Sequence, residues 1–444
     1  MGKKKLLYSI LFTGVGIMLA VILLFSKEKQ EGIPTFRERH GSLALSGEWL
    51  NTKKVIEGLL AQLRKNPDDY KAMLQLAQAY IQEARITGDH AYYDKASLEL
   101  LDRILAKEKN NFDARCCKAT VLLSQHHFTE ALEEAKTAQK LNEHSAFIYG
   151  LLCDAQLELG NYDEAVKMSD KMISMRPDIR SYSRVSYLRE IHGDMPGAIE
   201  AMKLAVAAGY PGLEQTEWSR MILAHLYENT GMPDSAEQQY KIALAERPDY
   251  AFAVAGLGRA ARMKGNFKEA IAQYEKAKDM IIEYAFSDDL TDLYLLNNEK
   301  AKSAASAEKV IAMLGPGSDD ESEEGHGHYA DRELAYAYLK TGNTDKALEH
   351  ALTEYGRRPM NIDACEALAW VCYKRSEFAE ANKLINTAMR TNSQNPVLLC
   401  RAGLIKIKAG EQAAGIALVK KAAELNPFMD PLLKKEAAPY LASK

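Results

Sequence analysis

The sequence predicts an all-α protein: a right-handed superhelical solenoid of about ten helix-turn-helix repeats behind an N-terminal transmembrane helix. Three observations predict it. A small residue recurs at Ser97, Ala131, Ala165, Ala198, Ala236, Ala270, Ser303, Ala347, Ala381 and Gly415, at steps of 33 or 34 residues stretched to 38 and 44 in two places. Glycine stands five residues before six of these anchors, at Gly160, Gly193, Gly231, Gly265, Gly342 and Gly410. The chain also opens on a long apolar run, Leu6 to Phe25, that contains no charged residue.

In chain order, Lys3, Lys4 and Lys5 precede that run. A helix of its length rises about 30 Å, the thickness of a bilayer's hydrocarbon core, so residues 1–26 read as a membrane anchor. A secretory signal carries a shorter apolar region, about 7 to 15 residues, followed by a small-x-small cleavage site. Here the run ends Phe25, Ser26, Lys27, Glu28, which favours an uncleaved anchor over a cleaved signal sequence. Lys27, Lys29, Arg37 and Arg39 on the far flank nearly balance the near lysines, so the basic count does not decide orientation. The tight cluster at the terminus favours that end inside and the repeats outside the cytoplasm, on the periplasmic side in a bacterium. Cytoplasmic repeats, and secretion after cleavage, are the alternatives. Residues 27–50 read as a linker.

The repeats have a packing logic. Glycine ends the first helix of a pair because it enters the left-handed region without a side-chain clash. The small anchor opens the second helix and lets two axes approach to about 8 to 10 Å, while Leu, Tyr and Phe three or four residues away fill the flanking grooves. Pro177, Pro248, Pro359 and Pro427, twelve residues past an anchor, stop that helix by lacking an amide donor. Leu223, Ala224, Tyr227, Gly231, Ala236, Tyr240, Ala243 and Pro248, then Leu257, Gly258, Gly265, Phe267, Ala270, Tyr274 and Ala277, resemble the tetratricopeptide repeat family. The resemblance covers residues 51 to 427: a first array over 51–314, a second over 329–427, and a capping helix over 428–444. Residues 85–92, around Arg85, Gly88 and Asp89, and the stretch Gly209, Tyr210, Pro211, Gly212 read as loop insertions at the solenoid edge.

Between the arrays, residues 315–328 read GPGSDDESEEGHGH, with too few apolar residues for a core, and are expected to form a flexible acidic loop. His-rich tracts gather divalent metals in some proteins, and His326 and His328 stand beside carboxylates here; a solvated linker is the favoured reading. His126 and His127 read as exposed turn residues. Of the six cysteines, Cys153 and Cys372 fall at core positions, and the single conceivable bridge, Cys365 with Cys400, is disfavoured by the specific geometry a disulfide needs.

Net charge is −4 and no long basic stripe interrupts the repeats, so nucleic acid is not an expected partner. No phosphate-cradling loop, nucleophile elbow, H-E-x-x-H or dinucleotide fingerprint occurs, so no catalytic residue, cofactor, resident metal or small-molecule substrate is expected. The resemblance instead implies a concave face of first helices that binds protein or peptide segments. Matching the family's contact positions places Arg180, Arg184, Tyr187, Trp218, His225, Phe252, Arg259, Tyr336 and Trp370 on that face. Aromatic and arginine residues dominate binding hot spots; packing against the neighbouring pair is the alternative for each. The paired Lys and Asn of chaperone-tail clamps are absent, and that ligand is not carried over. The expected function is a non-catalytic, membrane-tethered scaffold or adaptor. The alternative is an accessory subunit that recruits one enzyme or transporter of a cell-envelope complex.

Overall fold

The computed structural model describes residues 32–315 and 327–442. The expected anchor, the start of the linker and most of the acidic segment lie outside the described residues. Among the described residues no helix is long and apolar enough to cross a membrane.

A short 3-10 turn (Gly41–Leu45) leads into α1 (Gly47–Lys65). Ten helix pairs follow: α2 (Tyr70–Thr87) with α3 (His90–Lys107), α4 (Phe112–Ser124) with α5 (Phe128–Leu141), α6 (Ala146–Glu158) with α7 (Tyr162–Met175), α8 (Ile179–Ile191) with α9 (Met195–Ala207), and α10 (Glu214–Asn229) with α11 (Pro233–Glu246). Then come α12 (Ala251–Met263) with α13 (Phe267–Lys278), α14 (Tyr284–Leu296) with α15 (Lys300–Leu314), α16 (Asp331–Lys340) with α17 (Thr344–Arg357), α18 (Ile362–Lys374) with α19 (Phe378–Ala388), and α20 (Pro396–Lys408) with α21 (Gln412–Leu425). The closing helix is α22 (Pro431–Leu441). The described chain is an all-α solenoid.

Every anchor falls on the second helix of a pair, and Ala131, Ala165, Ala198, Ala236, Ala270, Ala347 and Ala381 have no exposed surface. The polar anchors satisfy themselves: Ser97 Oγ donates to the Tyr93 carbonyl at 2.7 Å and Ser303 Oγ to that of Thr291 at 2.8 Å. Five residues before the anchor the backbone is left-handed at all six glycines, and also at His126, Asn298 and Ser376, with φ of 62°, 63° and 65°. The turn is therefore uniform although its residue is not. In the first pair Gly88 takes the same conformation, φ 75°.

Three expectations change. Residues 85–92 are not a loop: α2 and α3 have 18 residues each, against 13 and 14 in the next pair, so the insertion lengthens helices. The described part of the 27–50 linker is docked on the first pair. Tyr80 Oη donates to the Pro34 carbonyl at 2.6 Å, and Arg39 forms a fully buried pair with Glu83 at 2.6 Å. Finally, α15 packs directly on α16, so the repeats flanking residues 315–328 are stacked neighbours.

Stacking is not the only long-range contact. The turn inside one pair touches the connection that follows the fifth pair further on, and does so five times in register. The Ile282 amide donates to the Thr87 carbonyl at 3.1 Å, and the Tyr329 amide to that of Gln125 at 3.0 Å. Asn361 Nδ2 donates to the Glu158 carbonyl at 3.0 Å, and the Ile362 amide to Tyr162 Oη at 2.8 Å. Gly193 lies so close to Asn392 that a Cβ would stand 2.6 Å from its carbonyl oxygen. Asn426 Nδ2 donates to the Glu228 carbonyl at 3.0 Å. Ion pairs extend the seam at both ends, Arg247 with Glu48 at 2.6 Å and Arg262 with Asp430. The bonds made by Asn361, Ile362 and Asn426 join residues 198 to 203 apart in sequence. One superhelical turn closes on the next.

Candidate protein-binding groove

All the predicted site residues lie on the first helices of their pairs. Trp218 on α10 meets Phe252 on α12 edge to face at 5.1 Å, and Phe252 meets Phe286 on α14 at 5.7 Å. Helices in successive pairs thus share one aromatic row. Its inner members are packed, but Trp218 remains 38% exposed, which is unusual for a residue that gains so much from burial.

Two helical turns further along the same helices lies a charged network. Glu228 accepts from Arg259 Nε at 3.1 Å and from Tyr240 Oη at 2.6 Å, and His225 Nδ1 stands 3.2 Å from its other oxygen. Arg259 also donates to Tyr240 Oη at 3.0 Å. Burial pushes the Glu228 carboxyl up, but Arg259, His225 and Tyr240 together hold it down at about 2. Arg259 is therefore the counter-ion of a buried carboxylate, and the scaffold needs it.

The other predicted residues divide in the same way. Arg184 is forked onto Asp154 at 2.8 and 2.5 Å. Tyr187 is partly enclosed, and burial first, then Asp363, Glu158 and Glu190, raises its phenol. Tyr336 Oη donates to Glu366 at 3.3 Å and accepts from Arg401 at 3.0 Å. Trp370 is corrected to the core: it is 6% exposed, stacks on Tyr373 at 4.8 Å and lies beneath Arg401 at 4.9 Å. Arg180 is exposed and carries its guanidinium over Phe147 at 5.3 Å. The two line a cleft of about 310 Å³ with Met172, Met175 and Asp178. Of the predicted residues, Trp218, Arg180 and His225 are exposed, and Phe252 and Arg259 are partly so.

Sequence reasoning missed part of the acidic half of this face, Glu228 and Glu366, and the pairing of Lys340 with Asp288 and Asp292 at 2.8 and 3.0 Å and of Arg332 with Asp363 at 3.4 Å. A signal existed. Acid and base on first helices stand 30, 31 and 35 residues apart in Asp154–Arg184, Glu228–Arg259 and Glu366–Arg401, one repeat each.

His126 and His127 are corrected as well: His127 is 3% exposed and both rings bond to the 327–329 connection. All six cysteines are free, and Cys365 Sγ donates to the Pro359 carbonyl at 3.3 Å, so the Cys365–Cys400 bridge does not form. Among the described residues no group of three His, Cys, Asp or Glu stands in metal-holding geometry.

The profile of the tetratricopeptide repeat family matches residues 223–285, from within α10 to the start of α14, a stretch that includes Phe252 but neither Trp218 nor Phe286. No curated protein matches the chain. Among solved structures, the human IFIT1 dimer with PPP-AAAA is 13% identical over 78% of this chain and 80% of its own, at a TM-score of 0.48. A thermophilic TPR protein of Thermus thermophilus is 22% identical over 43% of this chain and 98% of its own, at 0.38. PilW, a widely conserved type IV pilus biogenesis factor, is 14% identical over 45% and 92%, also at 0.38. At these identities and scores the likenesses carry no functional argument. The family match supports tetratricopeptide repeats over residues 223–285, and the described helix pairs continue the same architecture on either side.

Proposed function

We propose that the chain is a non-catalytic, membrane-tethered scaffold that binds segments of partner proteins along its first-helix face. The observation that carries this reading is the aromatic row ending in Trp218, 38% exposed. A large, rigid aromatic presented on a firm base is the side-chain type that supplies most binding energy at low entropic cost. Arg180 over Phe147 repeats the arrangement two pairs away. Protein is favoured over nucleic acid because Arg184, Arg259, Arg332 and Arg401 already face carboxylates and the net charge is −4.

Crosslinking and mass spectrometry on native membranes tests the reading. Trp218→Ala with Arg180→Ala is expected to preserve helicity and cooperative unfolding and to weaken partner capture by roughly 2 kcal/mol or more, the scale of a hot-spot loss. Full capture by this folded variant would place binding on another face. Several unrelated partners fit the scaffold; one stoichiometric enzyme or transporter fits the accessory subunit. The tether rests on residues 6–25, whose length suits a bilayer span. Retention on membranes through carbonate washing, with the N-terminal peptide still present, is the expected result. A soluble protein beginning beyond residue 26 would refute it.

A further inference from the structure

We infer that the seam between successive superhelical turns carries one proton-operated latch, where His126 and His127 of the α4–α5 turn meet Gly327, His328 and Tyr329. The inference stands on this contact and holds whatever the first-helix face binds. His126 Nδ1 lies 2.9 Å from the Tyr329 carbonyl oxygen and His127 Nε2 lies 2.8 Å from that of Gly327. Carbonyls only accept, so both nitrogens must carry a proton and donate. The Tyr329 amide in turn donates to the Gln125 carbonyl at 3.0 Å. The His127 ring stacks on Tyr329 at 3.9 Å, and the His126 ring lies 4.3 Å from that of His328.

Two imidazolium rings at that separation would repel, so the closed contact cannot hold both histidines protonated. A second proton on His126 would sit beside His328, and the reverse. Cations surround the contact: Arg332 on α16, Arg357 over Tyr329 at 3.9 Å, and Arg358 over Phe128 at 4.9 Å. Of the nearby carboxylates, Glu333 is paired with Arg332 at 2.9 Å and Asp94 with His90 at 3.2 Å, while the exposed Glu130 Oε1 stands 4.0 Å from His127 Nδ1. Burial, and then the charge of His328, holds His126 below the ordinary histidine value; burial does the same to His328.

Elsewhere the seam uses backbone amides, asparagine amides, a tyrosine hydroxyl and arginine–carboxylate pairs. None of these contacting groups changes charge between about pH 5 and 8, where histidine does; His90 and His192 stand at two other turns of the seam, but bond on their own side of it, to Asp94 and Ser124 and to the Leu188 carbonyl. The closed contact binds fewer protons than the open one. Its stability is therefore present above the ordinary histidine value of about 6.5 and is lost as pH falls below it.

Hydrogen exchange corrected for intrinsic pH dependence reads three neighbouring contacts through three amides: Ile282, Tyr329 and Ile362. Between about pH 7.5 and 5 the protection of Tyr329 should fall at least roughly tenfold while Ile282 and Ile362 keep theirs. His126→Asn, which retains a residue tolerant of the left-handed turn, and separately His328→Gln should each flatten the pH dependence. Tyr329 protection that ignores pH, equal losses at all three amides, or an unchanged profile in both variants would overturn the inference. So would stabilisation by zinc(II) at neutral pH that both variants abolish, because the pair would then be a metal site.

Discussion

The Glu228 carboxylate, with 8% of its side chain exposed, is tied to Arg259, His225 and Tyr240 on one side and, through its own carbonyl, to Asn426 on the other. Removing Arg259 leaves a buried carboxylate without its permanent counter-ion, with only His225 and Tyr240 beside it, and Arg259→Met should cost roughly 3 to 5 kcal/mol in chemical denaturation. Trp218→Ala should cost far less, since much of the ring already faces water. The pair thus separates scaffold from surface within one stretch of first helix. Protons test the same network. Glu228 is held below the ordinary carboxyl value of 4.5, so its stabilisation is present above that pH and is lost as pH falls toward about 2. Glu228→Gln should shrink that acid-dependent part of the unfolding profile; an unaltered profile would show the network is not formed in solution. Residue types on this face were legible from repeat position, as Trp218 and Phe252 show. Whether an arginine there is free or paired was not, because that depends on a carboxylate one repeat away in space.

At the scale of a helix pair, one left-handed turn recurs with different residues. Glycine made it legible at Gly160 or Gly265, while His126, Asn298 and Ser376 reach the same φ without a glycine to announce it. Gly160 and Gly265 both have φ of 80°, yet a Cβ on Gly265 would meet nothing within 4 Å, whereas one on Gly160 would stand 2.2 Å from the Met360 carbonyl oxygen. Backbone strain alone should make Gly265→Ala cost about 1 to 2 kcal/mol. Gly160→Ala adds an overlap with the next turn, and its cost should exceed that of Gly265→Ala by roughly 1 to 3 kcal/mol in the same denaturation assay. Equal costs would mean that the α6–α7 turn and the 358–362 connection part readily in solution.

At the scale of the whole molecule, the seam changes how stability is shared. In an open solenoid each repeat contacts only its neighbours, and stability is a sum of local terms. Here the α10–α11 turn also rests on the connection after α21, through Asn426 to the Glu228 carbonyl and through Pro427 against Gly231. The period of small residues revealed the local stack because each anchor packs against its own pair. It carried no information on superhelical pitch, which accumulates from small rotations at every interface, and so the meeting of residues about 200 apart was not legible. Ending the chain after Asn395 removes α20 to α22 and with them this part of the seam. Amides around Glu228 to Gly231 should lose hydrogen-exchange protection although the cut lies far from them in sequence, whereas a nearest-neighbour array would weaken only α18 and α19. Because such a truncation also strips the end cap, Asn426→Ala in the full chain serves as the second arm: it withdraws one donor, keeps α22 in place, and should lower protection at the same amides with little effect on α18 and α19. If neither variant reaches the α10–α11 turn, the superhelix is open in solution and the repeats are stabilised by stacking alone.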